Sequence, residues 1–244
     1  MENFLTIPEE ILLLSVSESG GEIPNDKRFE TIIAASILMD LAMHNRLDSD
    51  LERLIRVSDD KTNDTVLDQA LEMIYENNQK EDPAYWISQI AVRSREFIEY
   101  LVASLTLKQV LKVEDQKLFW FFSKRKYPPM KDKEIKEVKL RVRDLVFSDE
   151  IPDVRDIVIV SLLHYGELHS LVFSDSELKK YKERIENIAK MDLIGQAISK
   201  SLSLFVKTKS TVSSKSLFAS KTPEEKLENL VKETKEKFRI NDDS

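Results

Sequence analysis

The sequence predicts a mainly α fold: a single globular multi-helix domain with a β-hairpin and short strands, followed by a C-terminal helix. Apolar residues recur at helical spacing through most of the chain. Helix-start signals, a threonine, asparagine or aspartate just before the apolar run, mark several of these segments. Strand-like composition is confined to two short stretches, 51–57 and 108–122.

Thr6-Ile7-Pro8-Glu9 reads as a capped helix start with an acid three residues on, leading into Ile11, Leu12, Leu13, Leu14 and Val16. Ser17-Glu18-Ser19-Gly20-Gly21 is a turn, after which Asn25 or Asp26 caps a second helix reaching Met43. Ile32, Ile33, Ile37, Met39 and Leu41 leave that helix few polar faces, so it belongs at the centre, and Asn45 suits the left-handed position that ends it. Branched residues in 51–57 predict a strand. Thr62-Asn63-Asp64 then opens an amphipathic helix carrying Val66, Leu67, Ala70, Leu71 and Ile74. Residues 87–107 read as one long helix. Residues 108–122 read as a hairpin that turns at Glu114-Asp115-Gln116 and ends at Tyr127-Pro128-Pro129. Helical patterns follow over 133–147, 153–173, 175–190 and 192–206.

These patterns assign residues 1–206 to the globular domain, 207–221 to a basic Ser/Lys linker without acids, and 222–240 to a terminal amphipathic helix. Thr222-Pro223-Glu224-Glu225 starts that helix, and Leu227, Leu230, Val231, Thr234 and Phe238 form its narrow apolar stripe.

Composition removes whole classes of chemistry. Only 4 glycines occur, none within a phosphate-binding loop or dinucleotide fingerprint, where a backbone without Cβ must approach phosphate. With no cysteine there is no disulfide, thiolate nucleophile or Cys-ligated metal. No catalytic residue, metal or cofactor is assigned. Asp59, Asp60 and Asp64 fit no metal loop and read as solvated acids. His164 and His169, five apart, would not share a helix face and read as core or capping side chains. Acids at Glu2, Glu9 and Glu10 oppose a secretory leader, so a cytoplasmic protein is expected, peripheral where it meets a membrane.

Five segments, in order, carry a resemblance. Leu-Thr-Ile-Pro-Glu-Glu-Ile-Leu-Leu-Leu from Leu5, the segment from Ile37 to Leu47, the segment from Thr62 to Leu71, the stretch from Lys108 to Phe121, and the helix from Pro152 to Leu163 resemble the Golgi phosphoprotein 3 family. The resemblance covers roughly residues 4–205. It implies a non-catalytic, mostly helical peripheral membrane protein that recognises phosphatidylinositol 4-phosphate, binds cytosolic tails of Golgi glycosyltransferases, inserts a hairpin into lipid and self-associates. The family's lipid pocket uses a tryptophan before the second helix, an arginine within it and two arginines before the hairpin. Asn25, Ala34, Arg95 and Ile98 stand at those positions, so only Arg95 is retained and inositide specificity does not carry over with the scaffold. Arg93, Lys27 and Arg28 are the neighbouring cations offered as replacements.

Residues 108–143 hold 12 Lys or Arg and 5 acids, a net +7; against the chain's −7, this leaves −14 elsewhere. Within that stretch Leu118, Phe119, Trp120, Phe121 and Phe122 stand beside Lys117, Lys124, Arg125 and Lys126, the composition of a wedge whose rings enter a headgroup zone while cations hold phosphate. The same rings suit a subunit contact or a buried strand. Burial gains about 25 cal/mol per Å2 of apolar area in lipid or protein alike, so both stay open. The expected partners are therefore an anionic lipid headgroup, protein tails and a second copy of the chain. Aromatics among cations also suit a winged-helix nucleic-acid module, against which the pI of about 5.3 argues.

Overall fold

The computed structural model describes residues 5–50, 52–76, 81–119, 122–148, 153–198 and 200–201, with the backbone alone over 115–119 and 122–124. The chain divides into two units between Leu204 and Phe205, and all described residues belong to the first. The 207–221 linker and the 222–240 helix lie outside them.

The protein is mainly α. Helix α1 spans Ile7–Glu18 and α2 spans Lys27–Met43. The α1 start is as expected: the Thr6 amide donates to Glu9 Oε2 at 2.7 Å. Asp26, one of the two expected caps, accepts from the Phe29 amide at 2.9 Å. Helix α2 is the hub. Ile32, Ile33, Ala34, Ala35, Ile37, Leu38 and Leu41 are fully buried, because α1, α3 (Thr65–Glu76), α4 (Pro83–Val92), α5 (Ser94–Leu107) and α7 (Val154–Tyr165) all pack against it. Asn45 takes the left-handed conformation (φ 54°) that stops it.

Strands β1 (Leu47–Ser49) and β2 (Leu54–Arg56) form an antiparallel pair with Leu47 opposite Arg56, so the strand expected over 51–57 is shorter and has a partner. Asp64 caps α3 by accepting from the Val66 and Leu67 amides at 2.9 and 3.0 Å.

The single helix expected over 87–107 is two. They meet at Arg93 (φ −98°, ψ 7°), a corner made without glycine or proline. The hairpin is present but displaced. Its strands are β3 (Glu114–Phe119) and β4 (Phe122–Lys126), so Glu114, Asp115 and Gln116 lie in a strand and not at the turn. Residues 108–113 are the connection to it, which turns at Gln109 (φ 58°).

Helix α6 spans Lys133–Phe147 and α8 spans Asp175–Ala189, both close to expectation. The pattern over 153–173 is helical only to Tyr165; a 3-10 turn follows at His169–Leu171. A last helix covers 193–198.

Candidate functional site at the first turn of α2

The four cations named as headgroup candidates stand near the start of α2 and the α4–α5 corner. Arg95, in the first turn of α5, reaches Asn25 across 70 residues of chain, donating through Nη2 to Oδ1 at 3.1 Å. Its Nε lies 3.6 Å from Glu30 Oε1, and Lys27 pairs with the other oxygen of the same carboxylate. Glu30 is buried whereas the Arg95 side chain is 77% exposed. One sequestered carboxylate thus holds two solvent-facing cations beside the α2 N-terminus, whose dipole adds positive potential.

The other two candidates do not join them. Arg28 pairs with Glu167. Arg93 makes a two-pronged bond to Glu96 at 2.9 and 2.8 Å and covers the Phe97 ring at 5.4 Å. That bond raises the Arg93 pKa and lowers that of Glu96. Arg95 is thus held through Asn25 and Glu30 and not by a carboxylate of its own helix. Of the remaining pocket positions, Ala34 and Ile98 are core residues and present nothing to a ligand.

The hairpin is tied to the body at its foot. The Tyr127 amide donates to the Gly21 carbonyl at 2.7 Å, and Lys126 lies 3.6 Å from Glu22. Gly21 has φ 90°, and a Cβ there would stand 2.9 Å from the Pro128 nitrogen, so glycine is required on both counts. Leu111 bridges to Pro129, and the Met130 amide donates to Val110. Above this foot the register sets Glu114 opposite Lys126, Asp115 opposite Arg125 and Phe119 opposite Phe122. Among the described residues neither strand packs extensively on a helix. Arg125 is exposed; Trp120 and Phe121 lie outside the described residues, and Leu118, Phe119 and Lys124 are described by backbone alone.

The basic stretch 108–143 is partly consumed inside the fold. Lys108 pairs with the fully buried Glu9 at 2.6 Å, and Ser104 Oγ also donates to that carboxylate. Arg141 bridges Glu10 and Asp156, Lys139 pairs with Glu18 at 2.5 Å, and Arg143 grips Glu177. Glu9, Glu10 and Glu18 of α1 and Glu22 of the following loop thus take up Lys108, Arg141, Lys139 and Lys126, respectively. Burial pushes the Glu10 pKa up, with Arg155 and Arg141 opposing it. Lys131, Lys133 and Lys136 remain solvent-facing. Glu9 therefore does more than cap α1, and the signal for it is two adjacent acids in an otherwise apolar helix.

The remaining expectations resolve structurally. Asp60 accepts from Ser58 Oγ at 2.8 Å, and Asp59 lines an open groove of about 710 Å3 with Lys61, Asp68, Glu72 and Tyr75. His164 and His169 do meet, with ring centroids 5.4 Å apart, because the chain reverses between them instead of continuing as helix. Among the described residues no three His, Asp or Glu side chains cluster as metal ligands, and no helix is long and apolar enough to cross a membrane.

The family model described as Golgi phosphoprotein 3 (GPP34) covers residues 7–204, from the first residue of α1 to the last of the first unit. No curated protein matches the chain.

Proposed function

We propose, since the chain belongs to the Golgi phosphoprotein 3 family, that it is a non-catalytic peripheral membrane adaptor that holds anionic lipid through cations and a hairpin. The observation that carries this reading is the hairpin. Its foot is fixed by Gly21, Glu22 and the Leu111–Pro129 bridge, while among the described residues its strands pair with each other and neither packs extensively on a helix. An arm of this kind, bearing Leu118, Phe119, Trp120 and Phe121 in its sequence with Lys124 and Arg125 beside them, has the composition that partitions at a headgroup boundary. Arg95 and Lys27 supply a second contact, and a lipid phosphate there competes with Glu30 for them. Because three of the four family pocket positions are altered, the reading is of anionic lipid and not of one inositide.

Flotation with vesicles of phosphatidylcholine, with and without 20 mol% phosphatidylserine, tests it. The protein is expected to float only with anionic vesicles. Phe119→Ala combined with Trp120→Ala abolishes flotation while light scattering shows an unchanged mass, and Arg95→Ala weakens binding about fivefold, the equivalent of ~1 kcal/mol per basic group at the surface. Unchanged flotation of the double variant overturns the reading. Loss of a concentration-dependent oligomer in that variant, without any vesicle binding by the parent, assigns the hairpin to a soluble scaffold.

A further inference from the structure

The first turn of α2 buries an acid. Glu30 is only 4% exposed, and each oxygen of its carboxylate has a cation of its own. Lys27, three residues earlier on the same helix, holds Oε2. Helix α5 packs against α2 and brings Arg95 Nε to 3.6 Å from Oε1. Asn25 steadies the guanidinium from the other side, its Oδ1 accepting from Nη2 at 3.1 Å. The two cations are unlike the acid in their access to water: the Lys27 side chain is 58% exposed and that of Arg95 more so.

This asymmetry decides which ligand fits best. A surface cation that changes partner stays hydrated, whereas a buried carboxylate that loses a cation gains nothing in its place. An anion that draws Lys27 or Arg95 outward therefore leaves Glu30 one cation short. A ligand with an ammonium of its own removes that cost. Its three N–H donors take the place of the Lys27 ammonium on Glu30, while its anionic groups receive the released side chains. The charges then match. The site offers two cations and one anion, and a headgroup with two anionic groups and one ammonium completes three ion pairs with none left over.

We infer that Glu30 is a specificity residue: with Lys27 and Arg95 it selects a lipid headgroup that carries a primary ammonium beside its anionic groups, as the phosphoserine of phosphatidylserine does, over a headgroup of equal net charge that has none. This rests on the lipid reading proposed above and names the headgroup class. Only ion pairs are exchanged, and no proton or covalent bond moves.

Co-sedimentation with phosphatidylcholine vesicles containing 20 mol% of either phosphatidylserine or phosphatidylglycerol tests the selection. Both headgroups carry one net negative charge, the glycerol headgroup lacks an ammonium, and the choline of the carrier lipid has no N–H to donate. The parent is expected to bind the phosphatidylserine vesicles about fivefold more tightly, the equivalent of ~1 kcal/mol for one additional ion pair at a surface. Glu30→Gln binds both vesicles equally, because its amide no longer calls for a cation. Equal binding of the parent to the two vesicles, or a preference kept in Glu30→Gln, overturns the inference. In the lipid-free parent, the Arg95 Nε–Hε resonance is expected to move on adding glycerophosphoserine and not on adding glycerophosphoglycerol. If it does so while no vesicle binds, the lipid reading fails and the selection stands for a soluble headgroup. If both vesicles bind equally and the resonance answers to neither compound, the lipid reading stands and the selection fails.

Discussion

Replacing Gly195 by alanine probes how tightly the last described helix is seated. In an unconstrained helix interior this change is favourable by roughly 0.5–1 kcal/mol, because alanine is the better helix former. Here the new methyl would lie 1.8 Å from Ser161 Oγ, 3.0 Å from Asp192 Oδ2 and 3.1 Å from Met39 Cε. Ser161 is fully buried on α7 and Met39 is buried on α2, so the helix must lift or Ser161 must leave its rotamer. Overpacking of this kind costs about 1–3 kcal/mol, and the 1.8 Å approach puts the expectation at the upper end, a net destabilisation of about 2 kcal/mol. For a domain of this size that lowers Tm by roughly 4–8 °C. Scanning calorimetry on Gly195→Ala, Ser161→Ala and the double variant provides the measurement. Since the serine oxygen is the atom in the way, removing it recovers at least half of the loss, a coupling of about 1 kcal/mol between the sites. A Gly195→Ala protein as stable as the parent, or additive effects in the double variant, refutes the packing argument.

Two further outcomes follow from the charge network. Lys108→Met leaves the buried Glu9 carboxylate with only the Ser104 hydroxyl and the Thr6 amide, and is expected to cost about 3 kcal/mol in urea unfolding, with Glu9→Gln restoring part of it. Additive losses from the two substitutions would show that the pair is not coupled. Glu177, hydrogen-bonded by Arg143 and by the Ser174 amide, has its pKa lowered to about 2. Because the folded pKa lies below the unfolded one, the stabilisation it gives to the start of α8 is fully present above the ordinary glutamate range and is lost progressively as pH falls from 4.5 through about 2. A carboxyl carbon titration by NMR is expected to show that midpoint in the parent and a return toward 4.5 in Arg143→Ala.

The helical frame was legible wherever local signals decide structure. Thr6, Asp26, Asp64 and Asn45 mark helix ends by side-chain chemistry that acts within four residues. The corner at Arg93 carried no such signal, since neither glycine nor proline is present and the apolar spacing runs through it. The hairpin was displaced for a related reason. Glu114-Asp115-Gln116 is polar enough for a turn, yet it pairs as strand with Lys126, Arg125 and Lys124, and the turn at Gln109 uses a residue with no special preference for positive φ. At the candidate site, Arg95 was found through the family resemblance, but its partners Asn25 and Glu30 are 70 and 65 residues away in the chain. The clue to Glu30, and likewise to Asp40, was a charged residue on a helix with almost no polar face; a buried carboxylate needs a partner, but sequence alone does not say which.

The paired acids of α1 set a timetable for biosynthesis. Glu10 waits for Arg141, 131 residues later, which at about 5–20 residues per second is roughly 7–26 seconds of translation. Until then Glu10 lacks its guanidinium partners, although α2, which follows directly, already offers α1 a packing face and the Asp40 carboxylate that accepts from the Ile7 amide at 2.7 Å. A chain truncated before α6 is therefore expected to seat α1 on α2 with a buried carboxylate that neither Arg141 nor Arg155 neutralises, and to be the less stable for it.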